Sequence, residues 1–197
     1  MKQNEFLLKQ MEEKDMIIKD LIPKVGKTTN NFNIKNFNIF LNEKCKDALS
    51  MNDFIKQIEI SLPNLLITKD KGLADGISNI LIENMNKLSV YERPLHCTDI
   101  KRETLYIKND VWEKDQDKSK IKDAINKISR LQSQRISVWN NANPNFMQNS
   151  HEKDEYVQLV KNAMDDIHDK EDKIIKNVCK EIHVNEKLID EQFITNS

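Results

Sequence analysis

Few residues in this chain of 197 have the type and spacing that chemistry requires. His96 and Cys97 are adjacent, and Cys179 and His183 are four residues apart, a spacing that places both on one face of a helix. Cysteine and histidine are zinc ligands, but a structural zinc site needs four of them, and no CxxC or HxxxH motif accompanies these pairs. Adjacent side chains in a strand point to opposite faces, which separates His96 from Cys97. We therefore expect no metal and no other cofactor.

Carboxylates are the second candidate for chemistry. Asp99 with Glu103, or the acidic residues between positions 113 and 117, could hold Mg²⁺ in a nuclease site. Such pairs arise by chance among 32 acidic residues, and the ordered Asp…Glu-x-Lys core of common nucleases is missing. Nothing in the sequence activates Cys97 as a nucleophile, and no Gly-rich phosphate loop, Gly-x-Ser-x-Gly or His-Glu-x-x-His motif is present. We expect a protein that is not an enzyme, with a cryptic metal-dependent nuclease as an alternative.

Charge is unevenly distributed, although the formal net charge is only −1. Residues 118–135 carry a net charge of +5, and residues 152–172 carry −5. A basic surface that contacts phosphates would use a turn and this basic segment, and its residues would be Lys101, Arg102, Lys118, Lys120, Lys122, Lys127, Arg130 and Arg135. The order helix–helix–helix–hairpin–basic helix then predicts a winged-helix-like nucleic-acid-binding protein. The alternative is that the basic segment packs near the acidic one, in the same chain or a neighbouring one.

Composition favours helices over strands. Three glycines and four prolines are too few for folds with many tight turns, and 38% hydrophobic residues suffice for a core. We expect a mainly α protein with a small antiparallel β-hairpin or sheet and an N-terminal coiled-coil helix. The predicted regions are a coiled coil at 1–25, a linker with a short strand at 26–41, an α-rich body at 42–145 with a hairpin near 95–115, and a C-terminal helical region at 150–192.

The coiled-coil prediction depends on apolar residues at heptad spacing. The seam residues are Leu8, Met11, Ile18 and Ile22, with Asp15 in the missing position. About three heptads form a marginal helix in isolation, so packing must stabilise it. We expect a homo-oligomer, and the polar position leaves dimer and trimer equally open. The alternative is an amphipathic helix that packs on its own domain.

The segment that follows predicts a linker, because its glycine, threonines and asparagines have poor helix propensity. Its apolar residues alternate in part with polar ones, which predicts a short strand around 37–41. At the other end, heptad spacing of Val157, Met164 and Val178, with a break near His168, predicts a C-terminal helical region. This region either associates with another copy or folds back on the body.

Two sequence runs resemble a domain common in proteins of giant (nucleocytoplasmic large) DNA viruses. They are FNIFLNEKCKDALSMNDFI and GLADGISNILIENMNKLSVYERPLHCTDIKRETLYIKNDVWEKD, preceded at 17–26 by the coiled-coil end IIKDLIPKVG. The most specific part of the resemblance is Pro-x-His-Cys-Thr-Asp-x-Lys-Arg-Glu at 94–103. Members of that group often carry a zinc finger or another DNA-binding module upstream of the coiled coil, and no such finger occurs in these 197 residues. The resemblance implies association with viral DNA and supplies no catalytic residues.

These observations together predict a non-catalytic, self-associating scaffold or assembly module of a large DNA virus. Its expected partners are further copies of itself, with DNA or viral proteins as other candidates. No apolar stretch approaches 18 residues, so we expect no membrane span. Three widely spaced cysteines fit a reducing compartment. The expected location is intracellular, in the infected-cell cytoplasm or viral factory, with the virion as the alternative.

Overall fold

A computed structural model describes residues 34–184, which form a mainly helical structure with a small three-stranded antiparallel sheet, as the sequence predicts. The helices are α1 (Ile34–Ile39), α2 (Met51–Gln57), α3 (Leu62–Lys71), α4 (Leu73–Asn86), α5 (Ser119–Gln134), α6 (Ile136–Ala142), α7 (Ser150–Ala163) and α8 (Glu171–Glu181). The strands are β1 (Leu95–Asp99), β2 (Thr104–Lys108) and β3 (Trp112–Lys114). A π-helical turn (Phe40–Lys44) and two 3₁₀ turns (Phe146–Gln148 and His168–Lys170) complete the elements.

The predicted coiled-coil seam of Leu8, Met11, Ile18 and Ile22 lies outside the described residues, as does the first part of the predicted linker, residues 26–33. From Lys35 onward, the described residues belong to one compact unit. This unit therefore includes both the predicted body and the described part of the C-terminal region.

Serine and glycine residues lie at the helix boundaries of the body. Ser50 precedes α2 and accepts a hydrogen bond from the backbone N–H of Asp53 at 3.1 Å. Ser61 and Asn64 form a reciprocal capping box at the start of α3. Gly72 ends α3 with φ of 88°, a conformation in which a side chain is strained. Serine is a residue type that favours helix starts and glycine one that favours helix ends, so the sequence itself indicates these boundaries.

The strand expected around residues 37–41 is wrong, because these residues are helical. They form the end of α1 and the start of the π-helical turn. Phe37, Phe40 and Leu41 are fully buried, and their spacing of three and one places all three on one helical face. Burial of two aromatic rings outweighs the poor helix propensity of the neighbouring asparagines.

The sheet has the order β1–β2–β3 and confirms the hairpin predicted near 95–115. Leu95 lies opposite Ile107 and Cys97 opposite Leu105, and a register shift between Cys97 and Asp99 precedes the first turn. The free edge of β1 makes an isolated parallel bridge from Cys97 to His183.

The C-terminal helices fold back on the body of the same chain. Ile174, Ile175 and Val178 of α8 are buried, and α8 packs on α4 and β1. The break that the sequence predicts lies between α7 and α8. The heptad stripe does not mark the buried face of α7, because Val157 and Met164 are largely exposed.

Candidate functional site

The turn between β1 and β2 presents two of the predicted basic residues to solvent. The side chains of Lys101 and Arg102 are exposed. The carboxylate of Asp99 accepts hydrogen bonds from the backbone N–H groups of Arg102 at 3.0 Å and Lys101 at 2.9 Å, and it pairs with the Arg102 guanidinium at 3.1 Å. The Arg102 N–H, followed by that of Lys101, holds the pKa of Asp99 below its usual value. Asp99 therefore shapes the turn that displays these two cations.

An ion pair joins this turn to the start of the basic helix α5. Glu103, in the turn, pairs with Lys118, and both residues have positive φ, at 50° and 60°. Left-handed backbone is unfavourable for residues other than glycine, so the surrounding structure must hold both in place. Lys120, two residues further along the chain, pairs with Glu113 of β3. Both carboxylate partners belong to the sheet side of the molecule.

Glu171 neutralises a third lysine of α5 at a buried position. Its carboxylate lies 3.1 Å from Lys122 Nζ and accepts a hydrogen bond from Asn126 at 3.1 Å, and His168 Nδ1 lies 3.2 Å away. Burial raises the pKa of Glu171, but the bonds from Lys122, His168 and Asn126 together hold it below its usual value. This contact is the predicted pairing of the basic segment with the acidic one, within one chain.

The remaining basic residues of α5 are more exposed. Lys127 pairs with Asp123 at 2.7 Å on the same helix and donates to Asn52 of α2 at 3.2 Å. Arg130 and Arg135 are exposed side chains toward the end of the helix. The basic segment 118–135 thus divides into four lysines with acidic partners and two exposed arginines.

Asp115 caps α5, a role that the sequence pattern did not indicate. Its buried carboxylate accepts hydrogen bonds from the backbone N–H groups of Ile121 at 2.9 Å and Lys120 at 3.3 Å. Asp117, which is closer to the start of α5 in the sequence, accepts hydrogen bonds from the backbone N–H and the hydroxyl of Ser119. The N–H groups that a phosphate would use at a helix N-terminus are therefore taken by a carboxylate.

A groove of about 330 Å³ lies beside these lysines. Its apolar lining comes from α2 and β2, and its polar lining comes mostly from α5. The residues are Met51, Asn52, Ile55, Ile107, Asn109, Ser119, Lys120, Asp123 and Lys127. The volume is at the small end of the range for ligand pockets, and the lining combines apolar and polar side chains.

The carboxylates considered for a nuclease site do not converge. The carboxylate of Asp99 accepts a hydrogen bond from the backbone of Arg102 within its own turn, and Glu103 pairs with Lys118. Within residues 34–184, no three side chains among His, Cys, Asp and Glu lie close enough together to hold a metal ion. The two soft-ligand pairs from the sequence do meet, because Cys97 and His183 form an isolated backbone bridge. Sequence spacing gave no signal for this last contact.

An aromatic cluster covers the other face of β1 and buries His96 completely. The imidazole stacks on Trp112 with ring centres 5.2 Å apart, and Phe37 and Phe40 meet it edge-on at 6.5 and 5.9 Å. His96 Nε2 lies 3.8 Å from the Cys45 thiol, and Nδ1 has no hydrogen-bond partner within the described part of the chain. Burial, helped by the nearby Arg93 charge, lowers the pKa of His96 to about 3, so the ring is neutral at pH 7.

Comparison with known proteins adds no relative to these observations: no family model, no curated protein and no solved structure matches the chain. No helix in the described range 34–184 has the length and apolar character needed to cross a membrane. Function therefore has to be inferred from the residues themselves, and above all from the buried aromatic cluster and the basic turn with its neighbouring helix.

Proposed function

We propose that the chain is a non-catalytic, self-associating assembly module of a large DNA virus, in which an N-terminal coiled coil joins copies of the folded body. The observation that supports this best is the burial of Phe37 and Phe40. These rings pack against His96 and Tyr106 of the sheet, directly after the segment that leads from the predicted coiled coil. Residues 35–41 thus belong to the folded body, so a coiled coil that precedes them in the sequence would join copies of that body.

The charge pattern also favours assembly over catalysis. Lysines pair with the carboxylates of Glu103, Glu113 and Glu171, and these ion pairs connect elements of the fold. The exposed cations of the β1–β2 turn and the groove beside α5 form the surface that the module would present to a partner.

The oligomer is tested by the mass of the full chain in light scattering. Deletion of residues 1–24, or Ile18→Asp in the predicted seam, is expected to lower the mass to that of one protomer, because a charge in the seam opposes association. Gln10→Asp adds the same charge at a predicted outward position and is the matched control. An unchanged mass in both the deletion and Ile18→Asp would contradict the proposal.

Nucleic-acid binding is the second candidate function, and one observation favours it. The Glu103–Lys118 ion pair holds the exposed Lys101 and Arg102 next to the start of α5, as a winged-helix-like surface requires. Contacts of this kind are mostly to phosphates, so the affinity falls steeply with salt.

A gel-shift titration with duplex DNA tests this candidate. We expect a shift at about 50 mM salt that is lost near 200 mM, and at least tenfold weaker binding by the double variant Lys101→Glu/Arg102→Glu. The double variant Lys153→Glu/Lys161→Glu makes the same charge change at exposed positions of α7. Absence of any shift at low salt, or equal loss in the two variants, would count against a specific basic surface.

A further inference from the structure

Helix α7 carries apolar side chains on two sides. Leu159 and Ala163 are buried against the body. Val157 and Met164, in contrast, are 63% and 64% exposed. These two are seven residues apart, so they lie about 10 Å apart along the helix and within about 20° of each other around it. The N–H of Met164 still donates to the carbonyl of Val160 at 3.0 Å, which keeps Met164 in line with the helix. Val157 and Met164 therefore form one outward stripe that the core does not cover.

Two opposite charges lie on one flank of this stripe. Asp154 precedes Val157 by three residues and Lys161 follows it by four, which places both side chains roughly 40–60° to the same side of Val157. Both are exposed, and neither forms an ion pair within residues 34–184. Glu155, on the inner side of the same helix, is paired with Lys69 of α3. The outward order along α7 is thus carboxylate, apolar, ammonium, apolar.

We propose that this face of α7 binds the same face of a second copy of the chain, with the two helices antiparallel. A twofold axis close to residue 158 then brings Val157 of each copy against Val160 of the other. The same axis places Asp154 of each copy level with Lys161 of the other, so the contact contains two equivalent ion pairs.

The order of the charges argues for a second copy in this orientation. Along the flank the sign runs from negative at Asp154 to positive at Lys161, so the flank is complementary to its own reverse. A parallel pair in register would instead place like charges at the same level. This contact goes beyond the coiled coil of the proposed function and does not depend on it, because all of its residues belong to the folded unit that begins at Lys35.

The contact between the two helices is small. Each copy contributes Val157, Met164 and the half-buried Val160. Met164 would also lie on the aliphatic part of Lys153 of the second copy. A contact of two or three helical turns lies below the roughly 1,200 Å² typical of stable complexes, so copies at low concentration would separate. A coiled coil would favour the contact by raising the local concentration of the second body. A covalent trap is therefore the suitable measurement.

The test links exposed cysteines in the full-length chain. Val157→Cys lies close to the twofold axis, so a short bismaleimide should join two copies through position 157 and give a band of twice the mass on a denaturing gel. Lys176→Cys, at an exposed position of α8, is the matched control and should give about fivefold less linked product. The three native cysteines are free and buried, so the wild-type chain provides the baseline. Equal yields at positions 157 and 176, or a yield at position 157 no higher than in wild type, would overturn the proposal.

Charge reversal tests the orientation of the two helices. In the Val157→Cys chain, Asp154→Lys and Lys161→Asp should each lower the linked fraction about threefold, since like charges then face each other. The double variant Asp154→Lys/Lys161→Asp brings opposite charges together again and should return the yield to that of Val157→Cys alone. A double variant that stays as low as the single ones would rule out the antiparallel pairing. Light scattering of the same chains separates this contact from the coiled coil. An oligomer without the link at position 157 refutes the α7 contact alone, and a monomer that still forms the link refutes the coiled coil alone.

Discussion

Two regions of the molecule bury polar side chains in opposite ways. Around His96 the neighbours are the rings of Phe37, Phe40 and Trp112, and one ring nitrogen has no partner within the described residues. Around Thr68, where α3 meets α4 and α5, the neighbours are polar groups and a glycine. The first region buries a titratable group in an apolar setting, and the second connects neutral polar groups.

The second region is a continuous hydrogen-bond network. The Gln132 amide of α5 donates to Thr68 Oγ1, which donates to the carbonyl of Asn64 at 3.3 Å. The Asn64 amide donates in turn to Asn79 Oδ1 at 2.9 Å and to Glu83 Oε2 at 2.6 Å on α4. None of Gln132, Thr68 and Asn64 changes charge with pH, and the one carboxylate in the network, Glu83, is a terminal acceptor.

The difference shows what limits each region. The stability of the aromatic cluster depends on His96 remaining unprotonated, because a charged imidazole has no partner there. The stability of the helix contact depends on close packing, because α3 and α4 meet at Gly76 with no room for a side chain. Acid should therefore disturb the first region, and added methyl groups should disturb the second.

Gly76→Ala is expected to have the largest effect. An added Cβ would lie 1.8 Å from Thr68 Oγ1, 2.9 Å from its Cβ and 3.1 Å from its Cα, so rotation of the threonine cannot clear the space. Helix propensity alone would stabilise this variant by about 1 kcal/mol. Overpacking should outweigh that gain and leave a net loss of about 3 kcal/mol in urea unfolding.

Gly72→Ala is the control for that variant. Nothing lies within 4 Å of its added Cβ, but φ is 88° and ψ is 173°, a backbone region that essentially only glycine adopts, so the loss should be the backbone strain alone, about 2 kcal/mol. If Gly76→Ala loses no more than Gly72→Ala, the volume limit at the helix contact is refuted.

The sequence predicted local features of these regions better than their contacts. Ser50, Ser61 and Gly72 were readable as helix boundaries because each acts within a few residues of chain. The helical form of residues 37–41 was not readable, because it depends on burial against a sheet more than fifty residues away. The same holds for the backbone bridge between Cys97 and His183, which joins two segments brought together only by the fold.

The basic surface shows the same division between local and distant information. The net charge of residues 118–135 follows directly from the sequence. The sequence pattern did not show, however, that Lys118 pairs with Glu103 and Lys120 with Glu113. One signal for Glu171 was present, since it occupies the single polar position in an otherwise apolar stripe. A carboxylate at such a position indicates a buried partner, here Lys122.

Acid is expected to destabilise the aromatic cluster through His96. The folded pKa of about 3 lies below the ordinary value of 6.5, so the unfolded chain takes up a proton first as the pH falls. The stabilisation is complete above pH 6.5 and is lost progressively between pH 6.5 and about 3. By pH 5 the free energy of unfolding should fall by roughly 2 kcal/mol.

Urea titrations at pH 7 and pH 5 measure this loss, and the range stays above that in which carboxylates with lowered pKa values become protonated. His96→Leu should unfold with nearly the same free energy at both pH values, whatever its absolute stability. His151→Leu removes an exposed histidine and should keep the wild-type dependence. An equal pH dependence in wild type and His96→Leu would show that His96 is not the group responsible.

The smallest expected effect is that of Cys45→Ala. This variant tests whether the Cys45 thiol or burial lowers the pKa of His96. The thiol lies 3.8 Å from Nε2, a weak contact, so its loss should lower the free energy of unfolding by only about 1 kcal/mol at pH 7. Because burial is the main cause of the lowered pKa of His96, the loss of stability between pH 7 and pH 5 should persist in this variant. If the pH dependence disappeared together with the thiol, the aromatic cluster would have to be reinterpreted as a Cys45–His96 pair, and its contrast with the neutral network at Thr68 would become a contrast between two hydrogen-bonded regions.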